Sequence, residues 1–97
     1  MTNTFYNTHN DILDLYTKAI TKAHGKNHPE VFQVRAIYEK IQDKMTHLQF
    51  DLSNEFTQLR SITHNYAIPG DVCNTFKATY EMLEAFDHIS NQTTKSA

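Results

Sequence analysis

Apolar side chains recur at intervals of three and four along most of the chain, and the longest such series begins at Glu30. From there to Asn65 the sequence contains neither glycine nor proline, and Val31, Val34, Tyr38, Ile41, Met45, Leu48, Leu52, Leu59, Ile62 and Tyr66 keep step. Only Glu55 interrupts the series, and Phe56 beside it widens the stripe. A heptad register kept for this distance predicts one continuous helix. Ser53 and Asn54, following Asp51, could cap a new helix; the unbroken register argues for continuity. Such a helix would be roughly 54 Å long at 1.5 Å per residue, and it needs apolar partners along both halves.

Two short clusters, Gly25 to Pro29 and Pro69-Gly70, cut the chain into three pieces. In the first, Phe5, Ile12, Leu13, Tyr16, Ala19, Ile20 and Ala23 stand at helical spacing and predict a helix over 9–24. Thr8 or Asn10 would cap it, and Gly25 in a left-handed conformation would close it, with Lys22 and His24 at its negative end. Pro29 suits the first position of the long helix, with Glu30 at its positive end. In the third piece Asp71 would cap a helix whose stripe is Val72, Phe76, Tyr80, Leu83, Phe86 and Ile89, with residues 91–97 fraying. The expected fold is all-α, a single domain over 1–97 of three helices, the two short ones antiparallel to the long central one.

The composition, 39% hydrophobic, 21% charged and 11% aromatic, is that of a globular chain, and the net charge of −2 leaves no basic stripe for nucleic acid. No apolar run reaches the length of a membrane span and no signal segment opens the chain, so a cytoplasmic protein without membrane contact is expected. A single cysteine, Cys73, can form no internal disulfide. It is expected to be a small buried hydrophobe, although a position near a helix start can lower a thiol pKa. His24 is read as satisfying the last carbonyls of its helix, His47 and Asp51 as an exposed helix-side pair, and His9, His28 and His64 as surface residues. No phosphate-binding loop, nucleophile motif or C-x-x-C element is present, and catalysis is not expected.

Two blocks are more specific. His24-Gly25-Lys26-Asn27-His28-Pro29-Glu30, and Leu59-Arg60-Ser61-Ile62-Thr63 followed by Tyr66, Pro69, Cys73, Thr75, Phe76, Tyr80 and Leu83-Glu84, resemble the hemerythrin-like domain of the iron–sulfur cluster repair di-iron proteins. The resemblance runs from Tyr16 to Phe86. It implies a four-helix bundle with non-haem iron held by histidines and carboxylates on facing helices, and a role in repair after oxidative or nitrosative damage.

The chain departs from that pattern where the ligands belong. Aligned from His24, the second-helix histidine and glutamate fall on Leu48 and Leu52; a shift of one residue recovers His47 and Asp51, on the flank of the stripe. The third-helix histidine position holds Gln49, and His88-Ile89-Ser90-Asn91-Gln92 echoes the last ligands with glutamine for the carboxylate. The remnant candidates are His24, His47, Asp51 and His88, and neither metal nor other cofactor is expected.

Loss of the loop between the family's second and third helices would fuse them into one rod. Two such rods, antiparallel, would rebuild a four-helix bundle at each end as a helix-exchanged homodimer. Its interface would comprise Val34, Tyr38, Ile41, Met45, Leu48, Leu52, Phe56 and Leu59. The expected function is therefore non-catalytic, exerted by protein–protein contact, with a homologous di-iron protein as a further partner.

Overall fold

The structure, a computed structural model, describes the backbone of residues 2–96 and the side chains of residues 2–91. Four helices follow one another: α1 (Thr2–His24), α2 (Glu30–Thr46), α3 (Ser53–Ile62) and α4 (Asn74–Ser96). Each packs on its neighbours in sequence, and α4 returns to α1, closing a ring of four within a 39 × 22 × 18 Å body. This is an up-down bundle built by one chain.

The continuous rod is overturned. At the end of α2 the His47 amide donates to the carbonyls of Asp43 and Lys44, and the Gln49 amide reaches back to Lys44 O at 2.8 Å. Between them Leu48 adopts φ 57°, the left-handed residue that ends a helix, without the glycine that usually supplies it. Asp51 Oδ1 then accepts from Ser53 N (3.1 Å) and Ser53 Oγ (2.6 Å), starting α3 by an Asx-type turn. Lys44 fastens the corner, donating to Asp51 O at 3.2 Å and to Glu55 Oε1 at 2.9 Å. Glu55, which breaks the apolar series, is thus buried against a cation.

The heptad survives this corner because both sides of it face the same core. Met45 ends one helix inward and Leu52 begins the next inward, seven residues on, with the chain reversed between them. Of the residues assigned to an interchain interface, Val34, Tyr38, Ile41, Met45, Leu52, Phe56 and Leu59 are buried within one chain. Leu48 is 74% exposed. The second half of the stripe, on α3, already has its partners in α2 and α4 of the same chain, which removes the premise on which helix exchange rested.

Other boundaries move too. α1 starts near the N-terminus because Phe5 and Tyr6 pack on Phe86 of α4, with ring centroids 5.1 and 6.3 Å away. The expected caps are therefore interior: Thr8 Oγ1 donates to Thr4 O, and Asn10 Oδ1 accepts from Tyr38 and Gln42. Gly25 does not have positive φ. It is needed for space, since a Cβ there would lie 2.5 Å from both Thr21 O and the Phe32 ring. Asp71 does not cap α4, which begins three residues later. That cap position belongs to Cys73, whose carbonyl accepts from Lys77 N at 3.2 Å. The tail expected to fray is helical in backbone to Ser96, and its side chains beyond Asn91 lie outside the described residues.

Candidate functional site

At the end of the bundle where α1 hands over to α2 and the α3–α4 connection arrives, five polar side chains meet. His24 closes α1, and its Nε2 lies 3.1 Å from Cys73 Sγ, 49 residues away. His28 in the next loop lies 2.9 Å through Nε2 from Asp71 Oδ1, and 3.4 Å through Nδ1 from Glu30 Oε2. Phe76, in the first turn of α4, stands edge-on to both imidazoles, with centroids 5.3 Å from His24 and 5.7 Å from His28. The two imidazoles are neighbours, with centroids 6.4 Å apart, and each meets a polar partner of its own.

Local folding places these groups. The amides of Asn27 and His28 both turn back onto His24 O, at 3.2 and 2.7 Å, and this tight reversal points the two imidazoles toward α4. Cys73 is exposed, not buried as expected. Its thiol is drawn down to about 7, chiefly by the hydrogen bond with His24 and then by the backbone N–H groups of Phe76 and Thr75 at the helix start. Asp71 is held below the usual carboxylate range by its bond with His28. His28 is thus no plain surface residue but a clasp between two loops.

The other remnant ligand candidates are elsewhere. His47 is on the surface at the opposite end of α2, its Nδ1 2.8 Å from Asp43 O. Asp51 is spent on Ser53. His88 lines a cleft of about 190 Å³ between α3 and α4 with Arg60, Asn65, Tyr66, Glu84, Asp87 and Asn91. Among the described residues no group of three or more His, Cys, Asp or Glu is placed to hold a metal ion. The interior between the helices is instead filled by Leu13, Ile20, Tyr38, Ile41, Phe56 and Phe86.

Two features escaped the sequence. One is a cluster in which buried Asp87 accepts from Tyr66 Oη (2.8 Å) and Arg60 Nη1 (3.3 Å), below a turn where His64, Asn65 and Tyr66 are all left-handed. The other is the α2–α3 corner, where Leu48 and Phe50 are exposed beside a groove of about 530 Å³. That groove is lined by Ala36, Glu39, Lys40, Asp43, Lys44, Gln49 and Glu55. Exposure at Leu48 was masked by its heptad position, and nothing local marks Asp87 as buried. Among the described residues no helix is long and apolar enough to cross a membrane. Compared with protein-family models, curated proteins and solved structures, the chain matches none, so the hemerythrin-like resemblance rests on its two loop motifs.

Proposed function

We propose that this chain is a non-catalytic helical bundle that acts by protein–protein contact, in the first place with a second copy of itself, through the α2–α3 corner. The observation that carries the reading is Leu48, a large apolar side chain held outward in a conformation that L-residues disfavour. Phe50 is exposed two residues on. The adjoining groove offers Glu39 and Asp43 together with Lys40 and Lys44, both signs on one short surface. A twofold interface requires a self-complementary patch, and an apolar centre with mixed charges around it meets that requirement.

Light scattering at micromolar concentration tests this. The wild type is expected at twice the 11.3 kDa chain mass, and Leu48→Asp with Phe50→Asp at the chain mass with unchanged helix content. A wild type at the chain mass would overturn the self-contact. A dimer that survives both substitutions would transfer the contact to exchanged helices. Iron found in stoichiometric amount on protein purified without oxygen would overturn the non-catalytic reading and favour the repair chemistry implied by the resemblance.

A further inference from the structure

We infer that the cleft between α3 and α4 is a binding site for a small primary ammonium ion, a free alkylamine in its protonated form. The cleft has a volume of about 190 Å³. A cavity of roughly 150 Å³ holds a six-membered ring, so this one admits a ligand of about six to nine heavy atoms. Its floor is charged: Asp87, whose side chain is 8% exposed, accepts from Tyr66 Oη and Arg60 Nη1 and still lines the cleft. Its rim is the turn after α3, where His64, Asn65 and Tyr66 stand in succession at φ 53°, 59° and 63° without a glycine. Left-handed backbone at three consecutive L-residues persists only where neighbouring bonds hold it. Here the Asn65 amide donates to Arg60 O and the Tyr66 amide to Thr63 Oγ1, each at 2.8 Å. The turn so fixed sets Asn65 and Tyr66 opposite α4 across the cleft.

The sign of the ligand follows from which charges are already met. The lining holds one permanent cation, Arg60, and it is committed: Nη1 donates to Asp87 and Nη2 to Thr57 Oγ1 at 3.1 Å. It holds two carboxylates, of which Arg60 answers only Asp87. Glu84, one turn before Asp87 on the same side of α4, forms no ion pair among the described residues. Burial and the bond to Asp87 raise the Tyr66 phenol, and the nearby Glu84 charge adds to the rise. The unmet charge in the cleft is therefore negative, and around it Asn65, Tyr66 and Asn91 offer neutral oxygen acceptors. An ammonium group carries three N–H donors and no acceptor, which suits one carboxylate among neutral oxygens. An anionic ligand would meet two carboxylates with a single, already shared, guanidinium in return.

Butylammonium supplies the probe, with butanol and butyrate as neutral and anionic counterparts of the same shape, read by chemical-shift titration of the backbone amides of the folded chain. Saturable shifts centred on Asn65, Tyr66, Glu84 and Asp87 are expected with butylammonium at low salt, weakening as salt is raised. Butanol should bind about ten-fold more weakly, the share of one charge-assisted hydrogen bond. Glu84 is exposed, so Glu84→Gln keeps the fold, and it should lower the affinity for butylammonium by about the same ten-fold. Nα-acetyl-lysine methylamide presents the ammonium as a protein would and should bind no tighter than butylammonium. Equal affinity for butanol, unchanged butylammonium binding by Glu84→Gln, preference for butyrate, or no saturable shift would each overturn the inference. Tighter binding of the blocked lysine would overturn it too, by making the ligand a protein side chain.

Discussion

Tyr66 and Tyr80 are both buried, but their hydroxyls have opposite fates. Tyr66 Oη donates to Asp87 Oδ2 at 2.8 Å inside the bundle, whereas Tyr80 Oη is buried with no hydrogen-bond partner among the described residues. Burial raises the phenol pKa of each, and for Tyr66 the bond to the Asp87 carboxylate adds to it. Removing the Tyr66 hydroxyl leaves a buried carboxylate whose remaining side-chain partner among the described residues is Arg60, at 3.3 Å. Tyr66→Phe should therefore destabilise by about 2 kcal/mol, while Tyr80→Phe should be neutral or stabilise by up to about 1 kcal/mol. Urea titrations of the two variants check this, and an equal loss in both would refute the assignment of the two hydroxyls. The sequence could not separate these residues. Tyr66 and Tyr80 each extend an apolar series, and the partner that distinguishes them comes from 21 positions away.

Between elements, a polar seam joins α1 to α2. Arg35 Nη1 donates to Asp14 Oδ1 (2.9 Å), Asp14 O (3.2 Å) and Thr17 Oγ1 (2.9 Å), and Gln42 Nε2 donates to Asp14 Oδ1 at 3.0 Å. The bond from Gln42, then that from Arg35, lowers the Asp14 carboxyl to about 2. The unfolded value is ~3.9, so the seam's contribution is fully present above about pH 4 and is lost as pH falls toward 2. Screening at a half-exposed carboxylate leaves about 1 kcal/mol of it. Asp14→Asn should lower the urea midpoint at neutral pH, and the gap to wild type should close on acidification; a gap that stays constant with pH would show that Asp14 acts by shape alone. Helix existence was legible in the spacing of Leu13, Ile20, Val31, Val34, Phe76 and Leu83, all of which are core. Helix ends were less so, because tertiary contacts set them. Phe86 draws two further turns onto the start of α1, and Lys44, reaching both Asp51 O and Glu55, turns the chain where the heptad ran on.

At the scale of the whole molecule a 97-residue chain has little stability to spare, and closing four helices on one core uses nearly all of the apolar stripe. The same period of seven fits a rod and a sharp corner, because period constrains which faces are apolar and not whether the chain reverses between them. The remnant ligand set was legible only as isolated residues for the same reason: His24 and His47 lie near opposite ends of an antiparallel pair, α1 and α2, whatever their spacing along the sequence. What the packing does not use is Leu48. Its φ of 57° costs about 1 kcal/mol relative to glycine, and its side chain gains nothing from the core. Leu48→Gly should therefore raise the stability of the single chain by about 1 kcal/mol, or roughly 4–8 °C in Tm for a domain of this size. If the α2–α3 corner is a contact surface, the same change should also weaken self-association, so that thermal stability of dilute protein and dimer content of concentrated protein move in opposite directions. A stabilised chain with undiminished dimer would place the contact elsewhere. A chain that loses stability would mean that Leu48 packs in the folded state and that its outward side chain is no surface at all.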